Sequence, residues 1–148
     1  MAITFTPYDR GLMHILAGDV SPVTDTLKIT LHTSSYTPDR ANHEYFSDTW
    51  AESGEGVVYV SGGVALTGKS VGYDATGHFA YLIADDWELT NELLPDWVRY
   101  AILRQDTGTP ANDILLGYID FESNQFPSTE DFILAWEASS AGGTFRIG

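Results

Sequence analysis

From Leu27 to His32 the chain alternates strictly, with Leu27, Ile29 and Leu31 apolar and Lys28, Thr30 and His32 polar. A period of two predicts a strand with one buried face and one wet face. Ahead of it, Tyr8, Leu12, Ile15 and Leu16 recur at helical spacing behind Pro7, and Gly18 is placed to stop the turn. That spacing predicts a short helix over Tyr8 to Ala17, joined to the strand by an acidic linker from Asp19 to Asp25. Thr33 to Asn42 is turn chemistry around Tyr36 and Pro38, and His43 to Trp50 reads as a single helical turn presenting Tyr45, Phe46 and Trp50.

Beyond Gly54 the pattern is one of short strands: Val57 to Val60, Val64 to Thr67, Ser70 to Tyr73 and His78 to Ala84, with turns at Gly62-Gly63 and Asp74 to Gly77. Asp85 to Asp96 breaks the rhythm with charges and Pro95. Trp97 to Arg104 and Ile114 to Phe121 then carry apolar residues on both faces, as central strands do, with a polar loop from Gln105 to Asp113 between them. Phe132 to Glu137 and Thr144 to Ile147 complete the set, separated by Gly142-Gly143. About eight strands, one helix and no βαβ rhythm predict a single domain over residues 1–148. The expected architecture is an antiparallel β-sandwich, with a jelly roll among its permitted topologies and a closed barrel as the alternative.

Composition narrows what such a domain can do. Seven Lys and Arg stand against 21 Asp and Glu, a formal charge of −14, and the basic residues are scattered. Phosphate backbones and anionic membranes are repelled by such a surface, so neither nucleic acid nor membrane is an expected partner. With 43% hydrophobic and 13% aromatic residues the chain has the material for a core, and its acidity belongs to the surface. The absence of cysteine removes thiolate metal sites and cysteine nucleophiles. The opening MAITFTPYDRG lacks the features of a signal peptide, and no apolar run reaches membrane-spanning length, so synthesis in the cytoplasm is expected.

The residue types suited to chemistry have simpler readings. His14, His32, His43 and His78 lie on different elements without metal-binding spacing, and His32 and His14 are expected as solvated imidazoles. Asp85 and Asp86 are adjacent, so on a strand they point to opposite faces, and capping explains them better than calcium. Asp106 to Asp113 lacks the ligand spacing of a calcium loop, and the serines lack a nucleophile elbow. GEG and SGG read as hairpin turns. No catalytic residue, cofactor or metal is assigned, and the chain is expected not to be an enzyme. Trp97 and Trp136 fall inside predicted strands as core, whereas Trp50 and Trp87 border irregular segments. Tyr36, Tyr45, Phe46, Trp50 and Trp87 are the candidate protein-contact residues, with sugar stacking as the alternative use of such rings.

The string DTLKITLHTSSYTPD, following a helix that ends in AGDV, resembles a family of small structural proteins encoded by tailed bacteriophages. GVALTGKSVGYD, ADD, RYAILRQDTGT, LLGYIDF and FRIG follow in matching order, so the resemblance runs along nearly the whole chain. Two stretches depart from it: GEGVVYVSGG is longer than the usual turn, and WELTNELLPDW reads as an enlarged loop. The resemblance implies a virion component. Within that class the acidity and the lack of fibre repeats favour a capsid decoration, or cement, protein on the outer surface of the head. Its expected partners are the major capsid protein lattice and further copies of itself, as a dimer or trimer. A head-to-tail joining or tail-tube component and a carbohydrate-binding module are the alternatives. The helix-to-strand segment from Leu12 to Asp39, with its Asp19 to Asp25 linker, and the Tyr45 to Trp50 stretch are the regions where contacts are expected.

Overall fold

The computed structural model describes residues 5–136 and 145–147. Glu137, the Gly142-Gly143 turn and Thr144 lie outside the described residues. The chain is mainly antiparallel β with one helix, as its periodicity predicts. In order, its elements are β1 (Thr6–Pro7), α1 (Asp9–Ala17), β2 (Leu27–His32), a 3-10 turn (Phe46–Asp48), β3 (Val64–Ala65), β4 (Ser70–Asp74) and β5 (Phe79–Ile83). β6 (Trp87–Leu93), β7 (Val98–Gln105), β8 (Leu115–Gln125), β9 (Ser128–Leu134) and β10 (Phe145–Ile147) follow. Among the described residues, no helix is long and apolar enough to cross a membrane.

Three sheets share one main core. The largest has the order β1-β8-β7-β2-β3, the second β10-β5-β4, and β6 pairs with β9 alone. Leu27, Ile29 and Leu31 of β2 and Ala101 and Leu103 of β7 meet Leu82, Trp87, Leu89, Leu134 and Phe145 from the smaller sheets in that core. Two layers are thus packed face to face, which is the sandwich arrangement. Register follows the pleat: Ile29 lies opposite Leu103, and Thr30 opposite Ile102.

The opposite face of the large sheet is covered as well, and this overturns the expectation of a wet face on β2. Thr30 and His32 are fully buried. Above them Tyr8, Tyr36, Ile102 and Leu115 form a second cluster, with Phe46, Tyr100 and Tyr118 packed against it. The segment from Thr33 to Trp50, whose turn chemistry predicts a surface connection, folds back over β2 as a lid of aromatic rings.

Other departures share one cause: tertiary partners override local pattern. Val57 to Val60 does not form a strand, because the amides of Val57, Val58 and Tyr59 are satisfied by the Glu92 side chain. Trp87–Leu93, expected to be irregular, is strand β6, in which Glu88, Thr90 and Asn91 are exposed between the buried Trp87, Leu89 and Glu92. A break in register between Leu89 and Glu92, with Asn91 at φ 48°, explains why its alternation is hard to read. On β8, Arg104 faces Leu115 while Leu103 faces Gly117, so Leu116 is the extra residue of a bulge. Helix α1 packs at that bulge, where Tyr8 N–H donates to Leu116 O at 3.0 Å. A Cβ on Gly11 would stand 2.2 Å from Leu115 O, so only glycine permits this approach.

Candidate contact surface

His14 and His32, which sequence reading leaves on the surface, are built into the fold. His14 is buried between two carboxylates, with Nδ1 2.7 Å from Asp19 and Nε2 2.7 Å from Glu44, so α1 is clamped to the chain on both sides. Burial by itself lowers the His14 pKa, but the hydrogen bonds to Asp19 and Glu44 reverse this and the net shift is upward. The hydrogen bond to His14 in turn holds the Glu44 carboxyl below its ordinary range. His32 Nδ1 donates to Trp50 O at 2.7 Å, which leaves Nε2 to accept from the Thr30 hydroxyl at 2.9 Å. Burial, with the Arg104 charge adding to it, pushes the His32 pKa down to about 4, so this imidazole is neutral.

A further chain of polar contacts crosses the aromatic lid. Asp39 N–H donates to His43 Nδ1 at 3.1 Å, so that nitrogen is an acceptor and also takes the Tyr36 hydroxyl at 2.9 Å. Tyr36 therefore accepts from Tyr8, 2.9 Å away. Burial raises the Tyr36 pKa to about 12, which keeps its proton available for this bond. Below, the Arg104 guanidinium lies 4.0 Å from the centre of the Phe46 ring and donates to Asp113 at 2.7 Å and to Gly62 O. Asp113 also accepts from the Thr107 amide and hydroxyl. These donors and acceptors are consumed in holding the second cluster together. Among the described residues, no group of three or more His, Asp or Glu is arranged to hold a metal ion.

The stretches GEGVVYVSGG and WELTNELLPDW are partners in space. Glu92, wholly buried, accepts from the amides of Val57 at 2.5 Å, Val58 at 3.1 Å and Tyr59 at 2.7 Å, and from Leu93 N–H at 3.0 Å. One carboxylate thus replaces the strand partner that the amides of Val57 to Tyr59 would need. A Cβ on Gly56 would fall 2.0 Å from Glu92 Oε1, which explains the glycine in GEG, a string that binds a side chain instead of making a hairpin. Tyr59 points inward, donating to Glu52 at 2.7 Å and accepting from Leu31 N–H at 3.0 Å. Gly54 N–H is held by Asp96 at 2.9 Å.

With their backbone so fixed, these segments present apolar side chains outward. Val57, Val58 and Leu93 are exposed around Glu92. Leu93 pairs with Ser128, two residues from Phe126. Trp97 is 57% exposed and Phe126 39%, with ring centres 4.8 Å apart. Beside them a shallow hollow of about 140 Å³ is lined by Phe126, Pro127, Glu130 and Asp131. The result is an aromatic shelf with an acidic border.

The expected contact residues fall differently. Tyr36 and Trp87 are buried, so neither is open to a partner; Trp87 Nε1–H donates to Val64 O at 3.0 Å inside the core. Trp97, expected in the core, is the exposed ring, and Trp136 is half-buried against the main cluster. Tyr45 and Phe46 are half-buried and Trp50 is exposed, with its Nε1–H given to Ser35 O at 2.7 Å. Asp85 and Asp86 are exposed and act locally, accepting from Thr67 and from Trp136 N–H. The Asp19 to Asp25 linker is tied down internally, since Asp25 accepts from Ser21 N–H and from Gln105. Sequence reading missed Leu93 and Phe126; the Phe-Pro step at 126–127, closing a strand, was the available signal.

No protein-family profile, no curated protein and no solved structure matches this chain.

Proposed function

We propose that this protein is a non-enzymatic structural protein of a bacteriophage particle, a capsid decoration protein that binds the outer head lattice and stabilises it. The observation that carries the reading is the shelf of Leu93, Trp97 and Phe126, open on a chain whose net charge is −14. Apolar side chains exposed in a cluster on a soluble domain are suited to a partner surface, and aromatic residues concentrate binding free energy. Its acidic border selects a neutral or basic lattice and repels nucleic acid. A rigid β domain serves such a role because it loses little conformational entropy on docking. By binding the assembled lattice and not its free subunits, it stabilises assembly through differential affinity.

The test uses heads of the encoding phage assembled without this chain, to which purified protein is added back. Wild-type protein should saturate the shell in a copy number that scales with capsid subunits and should raise the temperature at which heads release DNA. Trp97→Ala with Phe126→Ala should bind at least tenfold more weakly while unfolding at nearly the wild-type temperature. Absence from purified heads overturns the proposal, and a dozen or fewer copies per particle indicates a head-to-tail component instead.

A further inference from the structure

We infer that β4 is a self-association edge, through which two copies join antiparallel into one continuous six-stranded sheet, with Tyr73 of each copy covering an apolar cavity of the other. This pairing does not depend on the virion reading.

β4 ends the order β10-β5-β4, and among the described residues no strand pairs with its outer edge. Such an edge offers unpaired amides and carbonyls to another strand, and proteins usually guard it with charges, bulges or proline. The β6 and β9 edges are guarded in that way: β6 has its register break and Glu88, and β9 has Glu130 and Asp131. From Ser70 to Tyr73, β4 has no charge and no register break. It exposes Tyr73 by 78% and Val71 by 64%.

The occupant is specified by the strand itself. In a two-fold antiparallel pairing centred on Gly72, Val71 of each copy lies opposite Tyr73 of the other, and Ser70 lies opposite Asp74. Opposite residues share a face, so the apolar face continues across the junction. Each end brings the Lys69 end of one strand beside the Asp74 end of the other, so like charges do not meet. For a chain carrying −14, a stretch free of acids is where a second copy can approach.

The cavity supplies the second reason. Between α1 and the small sheet lies an apolar hollow of about 170 Å³, lined by Ile15, Pro22, Val71, Ala80, Leu82 and Phe145. An apolar cavity of about 150 Å³ accepts a benzene ring. In the pairing centred on Gly72, the aromatic ring of Tyr73 of the second copy stands beside Val71, at the mouth of this hollow.

Sedimentation velocity over a concentration series tests the pairing. Wild-type protein should shift with concentration from its chain mass of 16.3 kDa to twice that mass, and Tyr73→Glu should stay at the chain mass with an unchanged far-UV spectrum. Because the chain has no cysteine, register is tested by mixing Val71→Cys chains with Tyr73→Cys chains under mild oxidation. Such a mixed dimer keeps one native Val71–Tyr73 pair and places two thiols opposite each other. The mixture should cross-link at least tenfold faster than either variant alone. Wild-type protein at the chain mass throughout, a Tyr73→Glu dimer as tight as wild type, or equal cross-linking in all three samples would overturn the inference.

Discussion

Replacing Glu92 by Ala removes the acceptor for four backbone amides and leaves the loop from Gly54 to Val60 without a partner. Tyr59 N–H is buried, so its loss is charged at the full cost of an unsatisfied donor, about 1–3 kcal/mol. The amides of Val57, Val58 and Leu93 belong to exposed residues and their hydrogen bonds are only part-buried, so each loses about 0.5–1 kcal/mol. The total is about 2.5–6 kcal/mol, large against the ~5–15 kcal/mol that holds a typical domain folded. In urea, at a slope of about 2 kcal/mol per molar, the midpoint should fall by about 1–3 M. Glu92→Gln keeps one acceptor oxygen and should lose roughly half as much. Gly56→Ala collides with the same carboxylate, so its cost in wild type should shrink in the Glu92→Ala background, and a double-mutant cycle should show the two as coupled. A loss below about 1 kcal/mol for Glu92→Ala, or strict additivity with Gly56→Ala, would refute the claim that this side chain organises the loop.

Three more outcomes follow from contacts described above. Gly11→Ala raises helix propensity by about 1 kcal/mol, yet its Cβ meets the Leu115 carbonyl at 2.2 Å, so thermal melting should show net destabilisation; a higher melting temperature would contradict the packing of α1 on the bulge. Asp113→Ala removes the buried carboxylate 2.7 Å from the Arg104 guanidinium, leaving Asp106 at 3.7 Å as its remaining carboxylate, and should cost about 3–5 kcal/mol by chemical denaturation. His14→Asn should be most harmful at mildly acidic pH: a raised histidine pKa contributes stability that is fully present below the unfolded value of 6.5 and lost as pH rises through the folded value. Glu44, whose pKa is lowered from 4.5, contributes above that value and loses its contribution as pH falls through the folded one. The difference between wild type and His14→Asn should therefore peak between about pH 4.5 and 6.5 and narrow by pH 8.5; a difference that grows toward pH 8.5 would exclude the charged clamp.

What was legible in the sequence was what local pattern controls. β2, the helix that Gly18 ends at φ 81°, the Asp74 to Gly77 turn and the two doubly apolar central strands all depend on spacing within a few residues. Long-range partners hid the remainder. His32 reads as solvated because alternation reports which residues share a face, not whether that face meets water; its cover comes from Tyr36 and Phe46, folded back over it. Trp87 and Trp97 exchange roles for a related reason. Asp85, Glu88 and Pro95 disguise a strand, so Trp87 reads as bordering a loop when it begins β6, and Trp97 lies one residue outside β7 rather than within it.

The same logic joins the loop to the shelf. A stretch such as GVVYV has the composition of a strand and, left unpaired, would be a liability on a protein surface. Glu92 removes that liability by occupying its amides, and in doing so fixes Val57, Val58 and Leu93 with their side chains outward. The buried carboxylate is therefore more than an internal stabiliser, because the rigidity of the exposed shelf depends on it. Glu92→Gln should accordingly weaken the proposed lattice binding further than its loss of stability explains, even where the protein remains fully folded. Binding by Glu92→Gln at wild-type strength would separate the loop from the contact surface and leave Trp97 and Phe126 to act alone.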